Sequence, residues 1–173
     1  PGDEVSTLMG LMVKAMADEM DSLDRNGVRF MVLGNRARLV PELNETIDAC
    51  MERTKDNRTL TLIIFLSYSG KWDILQAARK LALEVAADPK KAEALDQMSI
   101  SDFDSYLVTA DVPDPDLIVR TSGEHRLSNY MLWQSAYSEF YFTETLWPDF
   151  RKEQFREALN SYAKRDRRYG KVK

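Results

Sequence analysis

The stretch Leu117–Ser128, LIVRTSGEHRLS, determines how the rest of the chain is interpreted. Its first residues, Leu117-Ile118-Val119, form a short apolar run typical of a buried strand. The run ends at Arg120, and the small polar residues that follow predict a loop. A helix is predicted over Leu127–Ser135, so the stretch combines a strand, a loop and a helix in that order.

The same alternation of strands and helices extends outward from this stretch in both directions. Strands are predicted over residues 28–33, 60–66, 117–119 and 140–142. Helices are predicted over residues 3–25, 41–55, 72–87, 127–135 and 152–167, with helical patches near 92–98 and 101–109. This order predicts an α/β fold, a single domain over residues 1–173 with a mainly parallel sheet flanked by helices.

Composition excludes several classes of protein. No apolar run is long enough to cross a bilayer, and the net charge of −4 argues against indiscriminate nucleic-acid binding. The basic tail Lys164–Lys173 is the local exception. Within it, Arg167–Gly170 is either an element that reaches an anion or a partner chain or a solvated helix end. One cysteine, Cys50, predicts a reducing compartment and buried packing, and a single histidine, His125, leaves no zinc cluster.

Two arginines flank the loop after the strand at Leu117. Ligands of open α/β sheets bind at the carboxyl ends of the strands, and a helix start there favours an anion. The guanidinium groups of Arg120 and Arg126 match phosphate oxygens, and the hydroxyl of Ser128 and the N–H of Leu127 supply further donors. These residues predict a diphosphate site. The alternative is that both arginines pair with neighbouring acidic residues and that Ser128 only caps a helix.

Two other features each allow two interpretations. Glu139, before the strand at 140, is either a ligand for Mg²⁺ beside the diphosphate site or a solvated charge. A stripe of methionines on the first helix is either a flexible wall for a long hydrocarbon or ordinary core. The stripe comprises Met9, Met12, Met16 and Met20.

A longer run around the arginines resembles a known family. The segment DPDLIVRTSGEHRLSNYMLWQSAYSEFYFTETLWPDF, Asp114–Phe150, is similar to the signature region of cis-prenyltransferases of the undecaprenyl diphosphate synthase type. The upstream segments EVSTLMGLMVKAM, NGVRFMVLGNRARL and LTLIIFLSYSGKWDI and the terminal RRYG occur in the family's order. The resemblance therefore covers essentially the whole chain.

The resemblance implies both a fold and an activity. The family condenses isopentenyl diphosphate repeatedly with an allylic diphosphate such as farnesyl diphosphate, forms cis double bonds and requires Mg²⁺. Its bacterial member makes the undecaprenyl carrier lipid for cell-wall synthesis. The implied protein is a homodimer with a hydrophobic tunnel. We expect it to be cytoplasmic and to contact the inner face of the membrane for product release. From the net charge, no nucleic-acid partner is expected.

Individual residues match the family's functional positions. Arg120, Arg126, Leu127 and Ser128 match the site for isopentenyl diphosphate, and Glu139 matches a Mg²⁺ ligand. Arg168 and Gly170 match a terminal Arg-x-Gly element that completes the partner subunit's substrate site. The methionine helix matches a tunnel wall, and Leu62 and Ile64 match the tunnel floor.

The chain also departs from the family pattern. The 173 residues contain neither the first strand with its Asp-Gly-Asn-Gly-Arg loop nor the Phe-Ser-x-Glu-Asn-Trp segment. No catalytic residue is therefore assigned, and the chain alone is expected to be inactive. Ser67, Ser69 and Lys71 replace the family's usual Asn, Gly and Arg. An alternative is a non-catalytic partner subunit, although such subunits typically lose the diphosphate ligands that this chain keeps.

Overall fold

A computed structural model describes residues 2–166 of the chain. The helices are α1 (Gly2–Arg25), α2 (Pro41–Thr54), α3 (Gly70–Ala87), α4 (Pro89–Glu93), α5 (Ile100–Asp104) and α6 (Lys152–Ala163). The strands are β1 (Val28–Leu33), β2 (Leu60–Phe65), β3 (Leu117–Arg120) and β4 (Glu139–Phe142). Three short 3-10 turns complete the list, at Arg36–Arg38, Leu95–Gln97 and Trp147–Asp149.

The class predicted from the sequence is confirmed. Within residues 2–166, β1 pairs in parallel with β2, and β3 pairs in parallel with β4. Helices lie between the strands along the chain, so the protein is α/β with parallel strands flanked by helices. No helix in this part of the chain is long and apolar enough to span a membrane.

The chain divides into two compact units, the first ending at Tyr68 and the second beginning at Ser69. In the first unit, α1 and α2 pack on each other and on β1. Leu43 and Ile47 of α2 are fully buried at the centre of this core. Cys50 is buried beside them, as predicted, and burial raises the pKa of its thiol.

The prediction that β2 is buried is wrong for its first half. Leu60 is 60% exposed and Leu62 is 38% exposed. Both helices of this unit pack against β1, and β2 pairs with β1 along one edge only among the described residues. The first half of β2 is therefore exposed, although its apolar sequence is typical of a strand buried on both faces.

In the second unit, α3 begins where the sequence predicts it. Ser69 is its N-cap, and the hydroxyl oxygen accepts a hydrogen bond from the N–H of Trp72 at 3.3 Å. The charged region that follows contains only short helical pieces, α4 and α5, in place of the longer patches expected there. At the other end of the unit, α6 packs on β4.

Two predicted helices differ from the structure. The helix predicted over Leu127–Ser135 is wrong, because Ser128, Asn129 and Met131 have φ values of 49°, 61° and 46°, in the left-handed region. A right-handed helix cannot pass through such residues, and the segment forms a series of turns. The last helix ends at Ala163, before the predicted end at Arg167, and Arg165 leaves the helix to contact β4.

Candidate functional site

The loop after β3 is fixed by the segment that follows β4. Ser122 donates its backbone N–H to the carbonyl oxygen of Thr145 at 2.9 Å, and Gly123 donates to that of Thr143 at 3.0 Å. Gly123 has a φ of 66°, and a Cβ atom there would lie 2.5 Å from a carboxylate oxygen of Glu144. A larger residue at this position would have a strained backbone and would displace the Glu144 carboxylate, so glycine is favoured in the loop that leads to Arg126.

A cavity at the end of β3 measures ≈ 320 Å³, which falls within the range of roughly 300–1,000 Å³ for small-molecule sites. It brings together all four residues that the sequence predicted for the diphosphate. Apolar side chains of both strands form the rest of the wall. The lining residues are Ile118, Val119, Arg120, Arg126, Leu127, Ser128, Tyr130, Phe140 and Phe142.

Arg120 supplies the strongest sign that the cavity takes an anion. Its Nη2 lies 3.4 Å from the hydroxyl oxygen of Ser128, at the outer limit of a hydrogen bond. Its Nε is buried and has no hydrogen-bond partner among the described residues. A buried unpaired donor is costly unless a ligand or water binds it, and a phosphate oxygen would satisfy a guanidinium N–H here.

Arg126 and Tyr130 complete the polar side of the cavity. The Arg126 side chain is 65% exposed and forms an ion pair with Glu124, so that part of the alternative interpretation is confirmed for Arg126. Such an exposed pair contributes little energy and can exchange for a phosphate. Burial raises the pKa of the Tyr130 phenol, which favours its neutral form.

The absence of the predicted helix changes the electrostatics expected at this site. Because residues 128–137 form turns, no helix N-terminus at Ser128 contributes a positive dipole to the cavity. The alternative role of Ser128 as a plain helix cap is wrong for the same reason. Positive charge at the site comes from the two guanidinium groups.

Glu139 does not line this cavity. It pairs with Leu117 at the start of the β3–β4 ladder, whereas Arg120 pairs with Phe142 three residues further along, about 10 Å away at 3.3 Å per residue. Its carboxylate oxygen Oε2 accepts a hydrogen bond from Arg165 at 2.7 Å.

These contacts bear on the Mg²⁺ that the resemblance implies. Across residues 2–166, no three acidic, histidine or cysteine side chains form a group able to hold a metal ion. Mg²⁺ prefers carboxylate oxygens and phosphates, and the matched carboxylate is already bound by a guanidinium. The described residues therefore do not fit a Mg²⁺ site by themselves.

A second cavity, of ≈ 350 Å³, lies in the first unit and is almost entirely apolar. Methionines of α1 form one wall, and Leu62 and Ile64 of β2 lie on another, so these sequence-predicted residues meet. Of the side chains that the structure describes, Glu19 is the one charged group in the lining. The described lining comprises Met12, Ala15, Met16, Glu19, Met20, Leu23, Phe30, Leu62 and Ile64.

Some predicted site residues lie outside the described part of the chain, and some residues of the site were not predicted from the sequence. Arg168 and Gly170 lie beyond the described residues, as does the side chain of Met9. Sequence reasoning missed Tyr130, Phe142 and Arg165. Tyr130 follows Ser128 by two residues and was open to prediction, whereas the contact of Arg165 with Glu139 spans 26 positions and has no local signal.

The chain is similar to known proteins along nearly its whole length. The chain matches the family model described as "Putative undecaprenyl diphosphate synthase" over residues 1–170. It is 47% identical over 172 residues to an isoprenyl transferase from Chlorobaculum tepidum, covering 99% of this chain and 64% of that protein.

A second relative has a more specific name. The ditrans,polycis-undecaprenyl-diphosphate synthase ((2E,6E)-farnesyl-diphosphate specific) of Pseudomonas aeruginosa is 44% identical over 172 residues, covering 99% of this chain and 67% of that protein. The chain thus spans 64% of the first relative's length and 67% of the second's.

Two solved structures have the same fold. The lavandulyl diphosphate synthase of Lavandula x intermedia, in complex with dimethylallyl diphosphate, gives a TM-score of 0.91 at 32% identity, covering 99% of this chain and 73% of that one. A probable undecaprenyl diphosphate synthase from Campylobacter jejuni gives a TM-score of 0.82 at 27% identity, covering 99% of this chain and 76% of that one. On the family match and these identities, the chain belongs to the undecaprenyl diphosphate synthase family of prenyltransferases.

Proposed function

We propose that the protein acts as a cis-prenyltransferase and that the cavity at the end of β3 holds the diphosphate of isopentenyl diphosphate. The observation that carries this proposal is the buried Nε of Arg120, which has no partner within residues 2–166, in a cavity shared with Arg126 and Ser128. Relatives named isoprenyl transferase and undecaprenyl diphosphate synthase support it.

Charge handling is the central requirement of the proposed reaction. The allylic C–O bond breaks and releases diphosphate, a new C–C bond joins the two isoprenoid units, and the isopentenyl unit loses a proton. Arg120 and Arg126 would keep the second diphosphate fixed, which places its double bond at a constant distance from the allylic carbon. Fixed positive groups also lower the cost of gathering two anionic substrates in one site.

Binding requires a local exchange of partners. The Glu124 carboxylate pairs with Arg126, and the diphosphate would replace it. The Arg126 side chain is 65% exposed and the Glu124 side chain 35% exposed, so water screens the pair and its loss costs little. Two guanidinium groups on one diphosphate gain several charge-assisted hydrogen bonds.

The apolar cavity of the first unit suits the hydrocarbon product. Three methionines adapt their shape to a long flexible chain better than branched side chains would. We therefore assign this cavity to the growing polyprenyl chain, for which its side chains would form part of the wall. The relatives' names suggest undecaprenyl diphosphate as the product.

The other properties implied by the family remain predictions. They are a homodimer in which Arg168 and Gly170 complete the partner subunit's site, release of product at the inner face of the membrane, and a role for the product as cell-wall carrier lipid. Dependence on Mg²⁺ also remains a prediction, and no step is assigned to the ion because the described residues do not form its site.

Binding of inorganic diphosphate to this chain, measured by isothermal titration calorimetry, tests the proposal. Arg120→Ala is expected to weaken binding at least about tenfold, the equivalent of one strong charged contact. Arg79→Ala on the exposed face of α3 is the matched control and should change nothing. Equal binding by wild type and Arg120→Ala would refute the assigned site.

A further inference from the structure

The segment that carries Ser128 has an unusual backbone. Ser128, Asn129 and Met131 all have left-handed φ values, between 46° and 61°. This region is uncommon for residues other than glycine, although asparagine tolerates it better than most. Three such residues within four positions persist only where surrounding contacts impose the conformation.

Asn129 makes the contacts that impose it. The N–H of Gly70 donates to the carbonyl oxygen of Asn129 at 2.6 Å, and the N–H of Lys71 donates to its side-chain oxygen at 3.0 Å. Both donors belong to the first turn of α3, whose N–H groups have no partner within the helix. Asn129 therefore occupies the helix N-terminus with two neutral oxygens, where an anion would otherwise be favoured.

The approach of the two segments depends on glycine at position 70. A Cβ atom on Gly70 would lie 2.7 Å from the Cγ of Leu132 and 2.9 Å from its backbone nitrogen. Real Cβ atoms do not come so close, so any larger residue would push the segment away from α3.

A buried polar network fixes the other end of the segment. Gln134, which is 3% exposed, donates to the carboxylate of Asp73 on α3 at 3.1 Å and to the hydroxyl of Thr109 at 2.9 Å. Asp73 is 1% exposed and also accepts from the N–H of Val108 at 3.0 Å. Buried polar groups with partners of this kind hold a unique geometry.

We propose that Asn129 is a positioning residue for the anion cavity: its bridge to the start of α3 holds Ser128 in the left-handed conformation that places its hydroxyl beside Arg120. The inference rests on the proposed function, because it assumes that the cavity binds a diphosphate. Asn129 itself does not line the cavity, so it acts through Ser128 and the neighbouring loop.

The test measures inorganic diphosphate binding and thermal stability on the same variants of this chain. Asn129→Ala removes the side-chain acceptor and is expected to raise the Kd for diphosphate about tenfold. Asn129→Asp keeps an oxygen at the same place and is expected to bind within about twofold of wild type. Asn129→Gly, which keeps the left-handed backbone without strain, is used if the alanine variant fails to fold, and it is expected to lie between the two.

Ser99→Ala is the control for a merely structural role. Ser99 caps α5 in the same unit, and it does not line the cavity. The variant should lower the melting temperature and leave the Kd for diphosphate unchanged. The inference is overturned if Asn129→Ala binds like wild type, if Asn129→Asp binds as weakly as Asn129→Ala, or if Ser99→Ala weakens binding equally.

The arginine variant separates failure of this inference from failure of the proposed function. If Arg120→Ala binds diphosphate as well as wild type, the assigned diphosphate site is wrong, and the positioning role of Asn129 is refuted as well. If Arg120→Ala loses binding and Asn129→Ala does not, the site stands and only the positioning role is refuted.

Discussion

Arg165 forms an ion pair with Glu139, in which Nη1 donates to Oε2 at 2.7 Å. The same guanidinium donates Nη2 to the carbonyl oxygen of Phe140 at 2.8 Å. The N–H of Glu139 faces β3, where it binds the carbonyl of Asp116, so the Phe140 carbonyl faces the opposite edge of β4. Arg165 therefore caps that edge of the strand and orients Glu139 at once.

Replacing Arg165 with Ala should lower the free energy of unfolding by about 1–2 kcal/mol, since two charge-assisted hydrogen bonds are lost from a partly exposed site. The measurement is the urea midpoint. Arg156→Ala is the matched control on α6, because its pair with Glu153 is exposed at both ends and should contribute less than about 0.5 kcal/mol. Equal losses in the two variants would contradict the capping role.

Replacing Arg126 with Ala in an active enzyme that contains this chain should raise the KM for isopentenyl diphosphate at least about tenfold, because one guanidinium contact with the diphosphate is lost. The KM for the allylic substrate serves as the internal control and should hardly change. Steady-state kinetics with each substrate varied in turn make the measurement. Equal increases in both constants would remove Arg126 from the isopentenyl site.

Replacing Ala15 with Phe should shorten the polyprenyl product of such an enzyme, because Ala15 lines the apolar cavity and the larger ring fills part of its ≈ 350 Å³. Product length is read by mass spectrometry or thin-layer chromatography. Ala86→Phe adds the same ring to the exposed face of α3 and should leave product length unchanged. An unchanged product in Ala15→Phe would show that this cavity does not hold the growing chain.

Replacing Leu43 with Ala should destabilise the chain by about 2–5 kcal/mol, the range for a buried leucine that leaves a cavity. Leu43 is fully buried between α1, α2 and β1. Leu75→Ala provides the comparison, since Leu75 is 62% exposed on α3. Chemical unfolding gives the free energy of unfolding of both variants. A smaller decrease for Leu43→Ala than for Leu75→Ala would contradict the described core.

The carboxyl group of Asp24 is expected to make the stability of the folded chain depend on pH. Hydrogen bonds from Asn57 and Arg53 lower the pKa of its carboxyl in the folded chain. The folded state therefore favours the charged form, so the stabilisation is present above the ordinary pKa near about 4 and is lost as pH falls through the folded value.

The variant Asp24→Asn should thus melt at a lower temperature than wild type at pH 7, and the difference should shrink below about pH 4. Thermal melts across this range make the measurement. Asp56→Asn, whose carboxylate is almost fully exposed, should show no such trend. A difference for Asp24→Asn that is constant with pH would rule out a contribution from the charge.

Prediction from the sequence succeeded where the signal is local. Val28–Leu33 and Leu117–Arg120 are short apolar runs bounded by turn residues, and both are strands. Arg120, Arg126 and Ser128 lie within nine residues of each other, so a single strand end and its loop bring them to one cavity. The sequence predicts a helix over Leu127–Ser135, but the structure has left-handed residues there, and Asn129 accepts a hydrogen bond from the N–H of Lys71 at the start of α3.

The sequence by itself determined the α/β class, the family and the cluster of anion-binding residues, because each depends on residue types and short spacings along the chain. Only the tertiary structure decided that Asn129 binds the start of α3, that Arg165 binds Glu139, and that β2 is half exposed. Those contacts join residues 26 and 58 positions apart or depend on which elements cover a strand. Such contacts depend on how the elements pack, and the periodicity of apolar residues along the chain does not predict them.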